Sequence, residues 1–160
     1  MRRTIELTDV RKAAAGALER LCGLQSREGG AACTGPVDAA AEVQFWGAFQ
    51  GRLMVQLSDG LGQVLAARLF HAVSPAIRQQ KEAAAIAAAV ICGTLLGGAT
   101  AHGRTYLMES PCIIDNVNGY EKLFSIPQAR VALATTAGVL EVRIYANAFP
   151  VSGPPPAPAR

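Results

Sequence analysis

Residues 43–57 read VQFWGAFQGRLMVQL, and this stretch decides the fold. Apolar side chains alternate with other residues in both halves, and a Gln50-Gly51 break separates the halves. Period-two patterning on both sides of a turn predicts a β-hairpin, because successive side chains of a strand point to opposite faces. Of the two adjacent rings, Phe45 and Trp46, we expect one to point into the core and the other away from it.

Helical patterns lie on both sides of this hairpin. The first predicted helix runs to about Leu24, with Thr8 or Asp9 as its N-cap and Gly23 near its end. Residues 25–40 are rich in Gly, Ala and Ser and are predicted to form a loop.

A second helix is predicted directly after the hairpin, with Ser58 and Asp59 as possible N-caps and apolar positions continuing to Leu69. A long third helix is expected to start at Ser74-Pro75, with proline at the first helical position, where its missing N–H matters little. The pair Gly97-Gly98 is expected to begin the end of that helix.

The third helix contains a segment with the length of a membrane span. From Ala83 to Ala101 there are nineteen residues without a charge, which is about the length that crosses a bilayer. The segment is mostly Ala, Gly and Thr, so its transfer into lipid would be weakly favourable. Alanine has the highest helix propensity and allows close approach. We therefore expect a soluble helix buried against a sheet, with no membrane partner.

The last part of the chain alternates again. Short strands are predicted around 104–108 and 112–115, and a second hairpin from 130–136 and 139–146, turning at Ala137-Gly138. The order of elements predicts an α+β domain with a largely antiparallel sheet of two hairpins plus short strands, and with long helices packed on it.

Length and composition limit the class of protein. The 160 residues predict one domain over 1–149, followed by a Pro-rich tail over 150–160 that is disordered or extended. The net charge of +3 is spread along the chain, so nucleic-acid binding is not expected. The charged N-terminus predicts no signal peptide. The cysteines lack the close spacing of a zinc site, so reduced thiols, no metal and a cytoplasmic location are expected. They are Cys22, Cys33, Cys92 and Cys112.

The usual catalytic signatures do not occur: there is no G-x-S-x-G, no P-loop and no H-E-x-x-H. The Gly-rich segment 93–98 lies within or at the end of the third predicted helix. It is therefore poorly placed to bind a phosphate, which requires a turn between a strand and a helix.

Several strings, in this order and spacing, resemble one known family. They are Phe45-x-Gly47-x-x-x-Gly51, Leu69-Phe70, Val90-Ile91-Cys92-Gly93, Ser110-Pro111-Cys112-Ile113-Ile114 and Leu140-Glu141-Val142-Arg143-Ile144. Over roughly residues 10–146 the chain resembles the CheX-like domain of the CheC/CheX/FliY chemotaxis phosphatases.

The resemblance implies a partner and a chemistry. Members of this family bind the phosphorylated receiver domain of a response regulator such as CheY and accelerate hydrolysis of its aspartyl phosphate. The receiver carries the Mg²⁺, so no cofactor is expected in this chain; a homodimer is possible. The family uses a Glu-x-x-Asn motif on its long helix to orient the attacking water.

This motif is missing. The resemblance places the family's Glu at Ile86 and its Asn at Ala89, and neither side chain can make a hydrogen bond. One turn upstream, Gln79 and Glu82 have the same spacing in reversed order and share a helical face with Ile86 and Ala89. They are either a displaced catalytic pair or the solvated first turns of the helix. We therefore expect a receiver-binding module without the catalytic pair; the alternative is an active phosphatase that uses Gln79 and Glu82.

Overall fold

The structure is a computed structural model, and it describes residues 5–29, 35–47, 50–100, 106–123 and 126–146. This part of the chain contains four helices and seven strands. In chain order they are α1 (Leu7–Cys22), β1 (Arg27–Glu28), β2 (Val37–Trp46), β3 (Gly51–Ser58), α2 (Leu61–Phe70), α3 (Ile77–Thr100), β4 (Leu107–Met108), β5 (Cys112–Ile113), α4 (Val117–Leu123), β6 (Ala129–Thr135) and β7 (Gly138–Ala146).

All seven strands belong to one sheet, and their pairings are antiparallel. The order is β1-β6-β7-β3-β2-β4, and β5 also pairs with β2. The two predicted hairpins are β2/β3 and β6/β7, and they join where β3 pairs with β7. The predicted α+β class, the two hairpins and their common sheet are confirmed.

The first hairpin determines which aromatic ring enters the core. Phe45 pairs with Gly51, and the Phe45 side chain is only 2% exposed, whereas Trp46 is half-buried. Gly51 is therefore the first residue of β3 and not part of the turn, so the predicted Gln50-Gly51 turn lies too late in the sequence. Residues 48 and 49 of this connection lie outside the described residues.

Helices α1, α2 and α3 cover one face of the sheet. The inward side of α3 is mostly alanine, which brings its backbone close to β2 and β3. The predicted packing of this helix on the sheet is confirmed. By length and composition alone, Ile77–Gly98 would also be long and apolar enough to cross a bilayer. The buried residues of α3 are Ala83, Ala84, Ala87, Ala88, Ile91, Cys92 and Leu96.

The predicted N-cap of the first helix is wrong. The N-cap is Glu6, which has extended backbone angles and whose carbonyl accepts a hydrogen bond from the N–H of Val10. Helix α1 therefore begins at Leu7, before the predicted cap. Thr8 and Asp9 consequently lie inside the first turn. The predicted end is confirmed, since Gly23 is the C-cap, with a φ of 67° and its N–H donating to the Glu19 carbonyl at 2.9 Å.

The predicted N-cap of α2 is also wrong, because the cap comes from another strand. Ser58 is the buried last residue of β3, and Asp59 has a left-handed φ of 58°. Asp38 of β2 replaces them: its Oδ2 accepts the backbone N–H groups of Gly60 at 2.9 Å and Gly62 at 3.1 Å. The pairing of β2 with β3 shifts register between Val37 and Ala39, and such a bulge redirects the intervening side chain.

Three other predictions are corrected. Helix α3 begins at Ile77, two residues after Pro75, and continues through Gly97-Gly98 to Thr100. Part of the predicted loop 25–40 is strand, since β1 and the start of β2 lie within it. The Ala39–Ala41 segment is buried on both sides and therefore lacks the alternation of a half-exposed strand. Helix α4 was not predicted.

The second hairpin requires glycine at one position. Its turn is Thr136-Ala137, one residue earlier than predicted, and Gly138 begins β7 with a φ of 148°. A Cβ on Gly138 would lie 2.3 Å from the carbonyl oxygen of Ser58. The predicted short strands near 104–108 and 112–115 correspond to β4 and β5. The predicted domain boundary at residue 149 and the tail 150–160 lie outside the described residues and stay predictions.

Truncation of the two adjacent rings should have unequal effects. We expect Phe45→Ala to lower the free energy of unfolding by about 3–5 kcal/mol, because it leaves a cavity in the core. Trp46→Ala is the matched control, and its effect should be much smaller because the indole is half-buried. Urea denaturation of both variants measures the difference. Equal losses would contradict the inward orientation of Phe45.

The cap supplied by Asp38 is open to a matched test. Asp38→Ala removes the acceptor of two N–H groups and should cost about 0.5–2 kcal/mol of unfolding free energy. Asp38→Asn keeps an acceptor oxygen and should lose less. The midpoint of urea denaturation gives both values. If the Asn variant were as unstable as the Ala variant, the carboxylate charge rather than the oxygen acceptor would stabilise this turn.

Candidate functional site

The outer face of α3 carries all four candidate residues named from the sequence. Gln79, Glu82, Ile86 and Ala89 follow each other at intervals of three or four residues, so they lie on one side of the helix. Each is partly exposed, whereas the buried residues of α3 lie on the opposite side. The structure therefore brings these four positions onto one surface.

Gln79 and Glu82 both make contacts within the start of the helix. The Oε1 atom of Gln79 accepts the backbone N–H of Ala76 at 2.9 Å. Ala76 immediately precedes α3 and Gln79 is its third residue, so this contact is the return half of a capping box. Glu82 forms an exposed ion pair with Arg78, one turn earlier, at 3.2 Å. These contacts fit the interpretation as solvated first turns, and a catalytic role for the pair stays a prediction.

Ile86 and Ala89 lie outside the hydrophobic core. Their neighbours Ala87 and Ala88 are buried against the sheet, whereas Ile86 and Ala89 are only partly buried and belong to neither core cluster. No side chain between Glu82 and Thr94 contains a nitrogen or an oxygen. This part of the helix surface therefore offers no group that can bind or orient a water molecule.

The segment after β5 lies beside the beginning of α3. Lys81 Nζ and Asp115 Oδ1 are 2.7 Å apart. The next residue, Asn116, supplies an amide, but its Oδ1 accepts the N–H of Gly119 at 2.9 Å and so caps α4. The amide of Asn116 thus has a structural role.

The second face of the sheet, away from α1 and α2, is strongly polar. Glu42 accepts two hydrogen bonds from Arg52 Nη1, at 2.8 and 2.9 Å. Glu141 Oε1 accepts Arg130 Nε at 2.6 Å and Arg143 Nε at 2.7 Å. The buried polar side chains are Glu42, Gln56, Ser58, Glu141 and Arg143.

Sequence reasoning missed this polar face. The signal was present, because Glu141 and Arg143 alternate with apolar residues in β7, and Arg52 and Gln56 lie on the same face of β3, opposite Tyr145 and Glu141. Alternation alone does not distinguish polar side chains in solvent from polar side chains under a cover. The cover includes α4, whose Tyr120 packs edge-on against Tyr145 with 5.8 Å between ring centroids.

Burial and charge shift the pKa values of two groups on this face. Burial raises the pKa of Tyr120, and the nearby Glu42 carboxylate raises it further. Burial lowers the pKa of Arg143, but hydrogen bonds to Glu141 and Glu121 outweigh it, so the net pKa is raised. Both groups keep their protons at neutral pH, which leaves Tyr120 neutral and Arg143 charged.

An open cavity of about 510 Å³ lies on this face beside the first residues of β2. Its polar lining includes Gln56, Arg130 and Arg143, which come from β3, β6 and β7. Lys81 and Asp115 stand at the side where α3 approaches. The cavity is therefore distinct from the outer face of α3.

The two buried cysteines of the described residues are not activated thiols. Cys22 and Cys92 are buried, Cys112 is exposed, and none of the three is in a disulfide. Burial raises the pKa of the Cys92 thiol to about 12, which makes it unreactive at neutral pH. Among the described residues no group of three or more His, Cys, Asp or Glu side chains could hold a metal ion. Cys33 lies outside those residues, and the expected lack of a cofactor stays a prediction.

No protein-family model and no curated protein matches this sequence. Solved structures do match. A CheX from Borrelia burgdorferi, crystallised in a complex with CheY, BeF3 and Mg²⁺, is 17% identical with a TM-score of 0.68, covering 89% of this chain and 99% of that one. The CheX of Vibrio vulnificus is 9% identical with a TM-score of 0.69, and the match covers 91% of this chain and 100% of that one. The CheX of Desulfovibrio desulfuricans is 15% identical with a TM-score of 0.67, and the match covers 88% of this chain and 97% of that one. The resemblance drawn from the sequence is confirmed at the level of the fold, which is that of the CheC/CheX-like chemotaxis proteins.

Proposed function

We propose that this CheX-like domain is a signalling module that binds the phosphorylated receiver domain of a CheY-type response regulator and lacks the family's catalytic pair. The observation that carries the proposal is the lack of any polar side chain on α3 between Glu82 and Thr94, the part of the helix where the resemblance places the family's Glu and Asn, at Ile86 and Ala89. Binding is supported by the shared fold, since a CheX with this fold has been crystallised in a complex with CheY.

The chemistry of receiver dephosphorylation explains why these two positions matter. A receiver supplies its own phosphoryl group and Mg²⁺, so the partner mainly has to hold a water in line with the phosphorus. This task needs a side chain that donates or accepts a hydrogen bond within about 3 Å of the water. Ile86 and Ala89 have no such group, so this face binds without orienting a water. The Mg²⁺ belongs to the receiver, and this chain brings no cofactor of its own.

The apolar character of the outer face suits docking. Ile86 and Ala89 are half-buried, and the exposed Gly93 continues the same surface one turn later. Small side chains allow a partner to approach the helix backbone closely, and exposed apolar surface commonly marks an interface. A cytoplasmic location follows from the same proposal, because cytoplasmic receivers are the partners. The homodimer expected from the resemblance stays a prediction.

The alternative function is an active phosphatase that uses Gln79 and Glu82. Their i, i+3 spacing favours it, since residues three apart lie on one helix face. Their present contacts weigh against it. The Gln79 carboxamide oxygen is bonded to the start of the helix, and Glu82 is paired with Arg78. A receiver would have to compete with each of these contacts for the side chain concerned.

A label-release assay separates the two functions. CheY-type receivers of the same organism are phosphorylated with labelled acetyl phosphate, then mixed with this protein and followed for binding and for loss of label. We expect a complex and an unchanged rate of hydrolysis. Gln79→Ala and Glu82→Ala should likewise leave the rate unchanged. If wild type accelerates hydrolysis and Glu82→Ala slows it by about tenfold to a hundredfold or more, the alternative is correct.

Restoring the motif provides a gain-of-function test. The double variant Ile86→Glu/Ala89→Asn should fold like wild type, because both positions are outside the core, and should hydrolyse a phosphorylated receiver faster than wild type. Ile86→Glu/Ala89→Leu is the matched control, since it has the same charge without the amide. The gain should be modest, because such sites need positioning to within about 0.5 Å. A double variant that folds and binds but adds no hydrolysis would contradict the assignment of these two positions.

A further inference from the structure

The start of α4 contains a pair of residues with an intrinsic chemical reactivity. Asn118 and Gly119 are the second and third residues of this helix, and they form the one Asn-Gly pair of the sequence. In such a pair the backbone nitrogen of glycine can attack the carboxamide carbon of asparagine, because glycine has no Cβ to obstruct the approach. The pair is therefore a candidate for deamidation, and the surrounding structure determines whether the attack can occur.

The carboxamide of Asn118 is accessible, whereas the nitrogen that would attack it is held. Asn118 is exposed, and its side chain makes no hydrogen bond with another residue that the structure describes. The backbone N–H of Gly119 donates to Oδ1 of Asn116 at 2.9 Å. This nitrogen must lose its proton and turn toward the Asn118 side chain before it can attack. The cap that Asn116 provides therefore also protects the pair.

The same cap accounts for the glycine. A Cβ on Gly119 would lie 2.8 Å from Nδ2 of Asn116 and would displace the carboxamide that caps the helix. The close approach of Asn116 therefore favours glycine at the one position where glycine also makes Asn118 reactive. Protection and susceptibility thus depend on the same residue.

The first turn of α4 can open without releasing the rest of the helix. Hydrogen bonds hold its beginning, namely the cap and the bond from the Tyr120 N–H to the Asn116 carbonyl at 3.0 Å. The best buried contacts lie further along, where the Tyr120 ring packs against Tyr145 and Glu121 pairs with a β7 arginine at 2.7 Å. Local opening of an exposed turn requires less free energy than global unfolding. Asn118 can thus reach a reactive backbone conformation while the sheet stays folded.

We propose that Asn118 is a site of spontaneous deamidation, and that opening of the first turn of α4 sets its rate. The Gly119 nitrogen forms a bond to Cγ of Asn118 while the bond from Cγ to Nδ2 breaks. The Nδ2 group leaves as ammonia, taking up the proton that the Gly119 nitrogen loses. The product is a five-membered cyclic imide. Water then cleaves one of the two carbon–nitrogen bonds that Gly119 makes in this imide, which gives aspartate or isoaspartate at position 118.

The two products should have opposite effects on α4. Aspartate at the second position places a negative charge near the helix N-terminus, where the backbone dipole favours it. Isoaspartate adds a methylene group to the main chain between Asn116 and Gly119, so the cap and the first helical hydrogen bond lose their register. Because α4 covers part of the polar face of the sheet, formation of isoaspartate loosens that cover.

The test is incubation of the folded protein at mildly alkaline pH, followed by peptide mapping with mass spectrometry. Conversion replaces an amide by an acid, which raises the mass of the peptide, and fragment ions locate the change at residue 118. Chromatography separates the aspartate and isoaspartate peptides. We expect wild type to convert at Asn118, more slowly than the same chain unfolded in urea.

Variants of Asn116 test the role of the cap. Asn116→Ala removes the acceptor and should accelerate conversion by roughly threefold to tenfold, the factor that corresponds to one hydrogen bond. Asn116→Asp is the matched control, since it keeps an oxygen for the Gly119 N–H and should convert at the wild-type rate.

Two results would overturn the proposal. The first is a folded wild type that shows no conversion at Asn118 during the time in which the urea-unfolded chain converts fully. The second is an equal rate for wild type and a folded Asn116→Ala, which would show that the first turn of α4 does not control the reaction. The comparison of wild type with and without urea decides whether the site exists even where Asn116→Ala does not fold.

Discussion

The pairing of β3 with β2 on one side and with β7 on the other holds the two hairpins in one sheet. All eight residues of β3 have partners in β7, from Gly51 opposite Ala146 to Ser58 opposite Val139. Backbone hydrogen bonds along this central strand fix the register, and a slip by one residue would exchange its two faces. Leu53, Val55 and Leu57 would then leave the apolar side, while Gln56 would enter it. The helical layer and the polar face therefore both depend on this register.

The alanine-rich side of α3 determines what its other side presents. Alanine side chains bring the helix axis close to β2 and fix the rotation of the helix about that axis, because a larger residue on the inner side would have no space. With Ala84 and Ala88 facing the sheet, Ile86 and Ala89 must face outward. Core packing thus determines which positions of α3 point outward. It does not determine that the residues at these positions are apolar. Nothing in the packing of the core requires positions 86 and 89 to be apolar.

Features that depend on neighbouring residues were predictable, and features that depend on distant ones were not. The hairpins and the long helix follow from periodicity over ten to twenty residues, and Gly23 ends α1 as its local pattern predicts. The N-cap of α2 was missed because Asp38 is more than twenty residues away in the chain and reaches Gly60 only after β2 and β3 have paired.

The residues of the candidate site were also predictable only where their positions depend on a single element. Helical spacing sufficed to place Gln79, Glu82, Ile86 and Ala89 on one face, because a single helix sets their positions. The polar cluster around Glu141 joins side chains from β6, β7 and α4. A sequence pattern shows that these side chains share a face of the sheet but not that the face is covered. The burial of Gln56 and Glu141 is visible only in the folded molecule.

The short strands β4 and β5, which lie along one margin of the sheet, also limit how a second chain could pair with that margin. A bare ten-residue strand such as β2 would be a template for strand addition, which leads to aggregation. Its outer side is instead occupied twice, by β4 near Phe45 and by β5 near Ala41. Pro111 lies between these two short strands and has no N–H to offer an incoming chain. The outer side of β2 is thus divided into short pieces, so an incoming chain could not pair along the whole strand even though Leu107 and Met108 are exposed there.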